Sequence, residues 1–176
     1  MTTPLVMRPF KPEDAEKVIS WVSQSPKDLF YFSSQFEFPL QKNTFLNYCE
    51  KNFDAQSHVA FSFLDPQSQE HIGHCELKAI SPKHLNSTIA HVLVCPTARG
   101  KGYGRRMLTQ MLDYAFEKRG LNRVGLAVGT ENTQAIQAYL KVGFQIEGLI
   151  RDVLRFEGEY FSLYQMGILK VSTQNS

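Results

Sequence analysis

The sequence is short of cysteine, of charge imbalance and of long apolar runs, and each shortage removes a class of protein. Three cysteines, Cys49, Cys75 and Cys95, form no C-x-x-C pair and leave an odd number. Neither a disulfide framework nor a zinc ribbon fits, and a reducing, cytoplasmic setting is expected. Nineteen Lys and Arg against 17 Asp and Glu leave a net charge of +2, which offers a nucleic acid or a membrane surface no broad basic face. No apolar run approaches the roughly 18 residues of a membrane span, and "MTTPLVMRPFKPEDAE" turns polar too early for a signal peptide. His58, His71, His74 and His84 show no metal-ligand spacing, so no metal is expected. The Walker string G-x-x-x-x-G-K-[ST] is missing, and so is the dinucleotide fingerprint, because Gly100 and Gly102 are followed by Arg105 where a third glycine belongs.

What is present is an ordinary globular composition, 43% hydrophobic and 20% charged over 176 residues, the size of one domain. A single α/β domain over 1–170 with a flexible tail at 171–176 is expected. "LVMRPF" reads as a short strand. "KPEDAEKVISWVSQ" reads as a helix, with Pro12, Glu13 and Asp14 suited to its first turn, Ala15, Val18, Ile19 and Val22 on one face, and Pro26 as its end. The run "LFYFSSQFEFPL" is too aromatic for a solvated loop and reads first as core, second as a lip beside a pocket; a helix around "NTFLNYCEKNF" follows. Residues 58–94 hold three β-branched and aromatic runs separated by "DPQSQ" and "SPKHLNS", the pattern of an antiparallel meander. A helix from Gly104 to Arg119 then turns Leu108, Met111, Leu112 and Ala115 inward, and "NRVGLAVG" is a strand. "ENTQAIQAYLKVGF" is a helix with Ala135, Ile136, Tyr139 and Leu140 in contact, followed by strands around Gly148 and Gly158.

The chemistry gathers in "VLVCPTARGKGYGRRML", residues 92–108. Gly100, Gly102 and Gly104 sit where a strand hands over to a helix N-terminus, so backbone N–H groups can approach an anion closely. Lys101, Arg105 and Arg106 at the helix start oppose its dipole, a local defect that a bound anion would relieve. A Gly-rich turn with solvated charges is the alternative.

This loop resembles motif A of the GNAT superfamily of acyl-CoA N-acyltransferases, whose R/Q-x-x-G-x-G/A pattern is met by Arg99, Gly102 and Gly104. "LAVGTENTQAIQAYLKVGFQIEG" is similar to motif B of the same family, and "MRPFKPEDAEKVISW" to its opening strand and helix. The resemblance implies an α/β (α+β) fold, a mixed but mainly antiparallel sheet flanked by helices, with acetyl-CoA as cosubstrate. Its pyrophosphate would lie on the amides of residues 100–105, and its pantetheine arm beside the strand ending at Val94. Arg99, Gly100, Lys101, Gly102, Tyr103, Gly104, Arg105, Asn132 and Ala135 are the implied contacts, with Tyr139 directed at the sulfur.

The implied reaction is attack of a neutral amine on the thioester through a tetrahedral intermediate, and the amide of Val94 or Cys95 is expected to hold its oxyanion. Tyr139 is the expected general acid for the departing thiolate. An alkyl ammonium with a pKa of about 10.4 needs a base near neutral pH. Some N-terminal acetyltransferases of the family carry a glutamate before motif B, where this chain has Leu126-Ala127-Val128. His91 and Glu76 are the expected replacements, acting directly or through water. Strand alternation puts His91 with Leu93 and Cys95 on one face, and Ala90, Val92 and Val94 on the other. Cys95 itself reads as a small buried residue.

"GLIRDVLRFEGEYFSLYQMGIL", with Arg151, Gly158, Tyr160 and Met166, resembles the close of ribosomal-protein N-terminal acetyltransferases and their small-amine relatives. A protein or peptide α-amino group is therefore the expected acceptor, ahead of a polyamine or an aminoglycoside. A noncatalytic CoA-binding module is a third reading, and the assembly is expected to be a monomer or homodimer.

Overall fold

The alternating segments between residues 58 and 94 become the middle of a seven-stranded sheet. The computed structural model describes residues 3–170, so the tail expected at 171–176 lies outside the described residues. β1 (Val6–Pro9), β2 (Val59–Leu64), β3 (His71–Ser81) and β4 (Asn86–Val94) pair antiparallel in that order. β5 (Arg123–Gly129) joins β4 in parallel, and β7 (Glu159–Leu169) lies between β5 and the edge strand β6 (Gln145–Phe156).

The two-residue period of the strands divides the core. Val59, Phe61, Phe63, Cys75 and Leu77 meet Met107, Leu108, Met111, Ile136 and Tyr139. Those partners come from α4 (Tyr103–Asp113, continued by a wider turn through Lys118) and α5 (Thr133–Lys141). α4 lies so near β3 that a Cβ on Gly73 would collide with Met107. On the other face α1 (Ala15–Val22), α2 (Pro26–Phe32) and α3 (Lys42–Asn52) bring Val18, Trp21, Leu29, Phe32 and Phe45 against Leu93. Each such buried side chain contributes about 1.5–3 kcal/mol, which is what holds short helices that would not stand alone.

Three local expectations change. Pro26 opens α2 instead of closing α1: Ser25 accepts the Asp28 N–H at 3.1 Å as an N-cap, and proline fits the first helical position. Leu140 is 40% exposed, because the contact stripe of α5 is narrow and buries only Ile136 and Tyr139. Gly158 makes the β6–β7 turn at φ +89°, whereas Gly148 lies within β6 beside a register shift.

Two features of β4 create the site. Its parallel pairing with β5 runs only from Asn86–Arg123 to Thr88–Gly125. Beyond Thr88 each strand keeps its outer neighbour, β3 or β7, and the facing edges part, leaving backbone groups of β4 without a strand partner. The second feature is a bulge. Between the pairs His74–Leu93 and Glu76–Ala90, β3 advances two residues and β4 three, with His91 in the left-handed region at φ +49°. Directly paired residues share a face, so Ala90 lies with Glu76, His91 and Leu93. That corrects the expected grouping of Ala90 with Val92 and Val94, since one inserted residue resets the alternation.

Candidate active site

From the end of β4 the chain passes a short turn, Pro96–Ala98, and enters the glycine loop. Gly100 and Gly102 stand at φ +77° and +81°, where an L side chain is strained. Gly104 faces Val94, whose Cγ2 a Cβ there would meet at 3.6 Å. The first helical hydrogen bond of α4 runs from the Arg106 N–H to the Gly102 carbonyl at 3.3 Å. Among the described residues, the N–H groups of residues 100–105 find no protein acceptor. A row of open amides at the positive end of a helix dipole is a cradle for an anion.

The loop borders a cleft of about 690 Å³ between the parted strands. Val94, Arg99, Gly100, Gly102, Tyr103, Gly104, Arg105, Asn132, Ala135 and Tyr139 all line it; Lys101 does not. Arg106 is also spent elsewhere, bonded to the Thr3 carbonyl and lying 5.2 Å over the Tyr103 ring. Tyr103 is anchored in turn by its hydroxyl, which donates to Asp65 Oδ2 at 2.7 Å. Arg99 folds back, its Nε donating to the Val94 carbonyl at 3.3 Å. Asn132 caps α5 by accepting the Ala135 N–H at 3.2 Å, which leaves its amide NH₂ for the cleft.

The two candidate oxyanion donors separate. The Cys95 N–H is already bonded to the Ile72 carbonyl at 2.8 Å, so that expectation is corrected. In an antiparallel ladder, bonded and non-bonded pairs alternate, so the adjoining Gly73–Val94 pair turns the Val94 N–H away from β3, toward the opening. Cys95, expected buried, is partly exposed, with Sγ 3.2 Å from Thr97 Oγ1. Across the cleft the Tyr139 ring packs edge-on to Phe144 at 5.8 Å. Its hydroxyl makes no hydrogen bond to a described residue, and burial with Cys75 nearby pushes its pKa up. It stays a proton donor.

Glu76 and His91 are brought together behind the cleft wall. Glu76 is fully buried, and each of its oxygens accepts twice. Tyr48 Oη and His58 Nε2 stand at 2.7 Å from Oε2; His74 Nε2 at 3.1 Å and His91 Nδ1 at 2.9 Å from Oε1. Burial alone would raise the Glu76 pKa, but the bonds from His58, His74 and His91 hold it well below the usual range. An ionised carboxylate only accepts, so the His91 Nδ1 that faces it carries a proton. Its ring lies 4.8 Å from that of Phe32, a residue of the cleft wall. Glu76 therefore has no free oxygen for an amine, and it orients His91.

Sequence reasoning missed Trp21, Asp28, Gln134 and Lys141 on this wall, because α1, α2 and α5 reach it only through tertiary folding. The aromatic run was a signal: Tyr31 and Phe32 line the cleft while Phe32 and Phe36 also pack into the core, so the two readings of that segment hold together. Among the described residues no helix is long and apolar enough to cross a membrane, and no His, Cys, Asp and Glu group is arranged to hold a metal ion.

The cleft can be set beside known proteins. A sequence model of the acetyltransferase (GNAT) family matches residues 23–144, from just after α1 to Phe144 within motif B. The chain is 23% identical over 169 residues to the uncharacterized N-acetyltransferase YoaA of Bacillus subtilis, covering 96% of this chain and 95% of that protein. It is 26% identical over 164 residues to a spermidine N(1)-acetyltransferase of Escherichia coli, covering 93% and 85% respectively. The crystal structure of spermidine N-acetyltransferase from Vibrio cholerae in complex with CoA and spermine matches with a TM-score of 0.83 at 25% identity, over 96% of each chain. These relatives correct the expectation of kinship with ribosomal-protein N-terminal acetyltransferases. That expectation rested on β6 and β7, an edge hairpin that contributes no described residue to the cleft wall. The open amides, the parted strands and the match across both motifs agree, and the chain belongs to the GNAT acetyltransferase family, the acetyl-CoA-dependent N-acyltransferases.

Proposed function

We propose that the chain acetylates a slender aliphatic polyamine of the spermidine class, where the C-terminal strands alone suggested a protein α-amino group. The observation that carries this reading is the likeness to spermidine N-acetyltransferases over nearly the whole length of the chain. The shape of the cleft supports it. α2 crosses to the far side, stacking Phe30 on Phe156 at 4.7 Å and reaching Glu131 with the Tyr31 hydroxyl at 3.4 Å and Lys27 Nζ at 4.0 Å. That bridge narrows the acceptor end, which suits a flexible chain better than a folded protein terminus. Asp28 is the one carboxylate among the described residues of the wall, a counter-charge for an ammonium group.

Each residue of the site has a task in this reading. The amides of residues 100–105 and Arg105 hold the pyrophosphate of acetyl-CoA, whose thioester supplies the acetyl group. The Val94 N–H stabilises the oxyanion as the amine nitrogen bonds to the carbonyl carbon. The proton lost by the nitrogen passes to His91 Nε2 through water, since His91 is not among the described residues of the cleft wall. Tyr139 gives its proton to the sulfur as the C–S bond breaks.

Mass spectrometry of products from acetyl-CoA with an equimolar mixture of spermidine, an aminoglycoside and a peptide with a free α-amino group tests the acceptor. Monoacetylated spermidine as the main product is expected; acetylation confined to the peptide would overturn the proposal.

A further inference from the structure

Glu76 is an unusual carboxylate for its surroundings. It is sealed from solvent, and its four partners are a phenol and three imidazoles; among the described residues no Lys or Arg lies within 4.0 Å of it. Every element packed around it contributes to this. α3 presents Tyr48 and Cys49, the segment before β2 presents His58, β3 presents His74 and Cys75, and β4 presents His91. The remaining walls are uncharged rings: Phe32 and Phe36 lie against His91, and Phe10, Phe45 and Phe53 lie against His74, Tyr48 and His58. The charge of Glu76 is therefore met by Tyr48 and the three imidazoles, with no Lys or Arg beside it.

The donors divide by oxygen. His91 shares Oε1 with His74, whereas Tyr48 and His58 take Oε2, the Tyr48 hydroxyl also standing 3.3 Å from His91 Nδ1. A carboxylate behind an imidazole strengthens its pull on a proton, and donors to the other oxygen draw that charge away. Too strong a pull would leave His91 already protonated and useless as a base; too weak a pull would leave it slow to accept.

We propose that Tyr48 and His58 are positioning residues that set the proton affinity of His91 by holding the far oxygen of Glu76. This rests on His91 as the base of the acetyl transfer. His58 and Tyr48 also line a second, polar cavity of about 350 Å³, with Lys51, Asp54 and Lys78.

The test is the pH dependence of kcat/KM for the parent, Tyr48→Phe, His58→Ala, His58→Gln and His91→Ala. Tyr48→Phe removes one oxygen and keeps the ring stacked on Phe45 at 6.2 Å. Losing either donor is expected to move the acidic limb of the profile up by about half a unit to one unit. His58→Gln, which restores an N–H donor, should return the limb toward its parental position. NMR titration of the His91 imidazole in the folded protein without substrate gives the same shift independently of turnover. If Tyr48→Phe and His58→Ala lower the rate or the melting temperature while both titrations stay put, the pair is merely structural and the inference fails. If His91→Ala keeps the parental limb, it is the underlying assignment of the base that fails.

Discussion

The Arg8 guanidinium meets the Asp14 carboxylate in a two-pronged pair, Nη1 to Oδ2 and Nη2 to Oδ1, both at 2.7 Å. Asp14 also accepts the Ser62 hydroxyl at 2.7 Å and the Lys11 N–H at 2.9 Å, so one carboxylate ties β1, the start of α1 and β2 together. Burial works against its ionised form, but the bonds from Arg8, Ser62 and Lys11 prevail and hold its pKa well below the usual range. A depressed carboxylate stabilises the fold above its unfolded pKa, about 3.9, and that contribution is lost as pH falls through the folded value. Asp14→Asn should cost about 2 kcal/mol at pH 7, less than for a sealed pair because Arg8 is partly in solvent. Thermal melts should show a drop of roughly 4–8 °C at pH 7. The gap between parent and variant should close as the pH is taken down through 3; a gap independent of pH would mean the carboxylate charge is irrelevant.

In the proposed reaction Tyr139 protonates the sulfur and does little to hold the cofactor. Tyr139→Phe keeps the packing on Phe144 and removes only the hydroxyl. Its kcat should fall on the order of 10-fold to 100-fold, the lower range for a general acid because a thiolate leaves easily. CoA affinity by calorimetry should change less than about threefold. An unchanged kcat would remove Tyr139 from this role.

The three thiols differ sharply in reactivity. Burial, with the charge of Glu76 nearby, pushes Cys49 up to about 12, and fully buried Cys75 is pushed up as well. Cys95 alone is partly exposed. Titration with a disulfide reagent at pH 8 should find one thiol in the native protein and all three in guanidinium. Cys95→Ser should abolish the native reaction; a second reactive native thiol would mean that the sheet opens on one face.

Much of the acetyl-CoA side was legible because its chemistry is local. A left-handed φ at Gly100 and Gly102 and an amide row at a helix start are properties of a few consecutive residues. The helix cap at Asn132 is equally local. Lys101 is the one implied contact of the loop that is not among the described residues lining the cleft. The proposed acceptor side was less legible, since Asp28 and Tyr31 come from a helix that the sequence pattern did not show, and Glu131 lies 100 residues further along the chain from the Tyr31 it meets.

Periodicity determined the order of the strands and of every helix but α2, and the glycine spacing determined the anion cradle, because each depends on neighbours within a turn or two of chain. The tertiary structure decided the surroundings of Glu76. His74 lies two residues before it on β3, but no spacing relates His58, His91 and Tyr48, and only the pairing of β3 with β2 and β4 and the packing of α3 gather them on Glu76. The bulge at His91 completes that arrangement. Strand alternation cannot foresee an inserted residue, because the insertion is stabilised by partners that the chain meets only once it has folded.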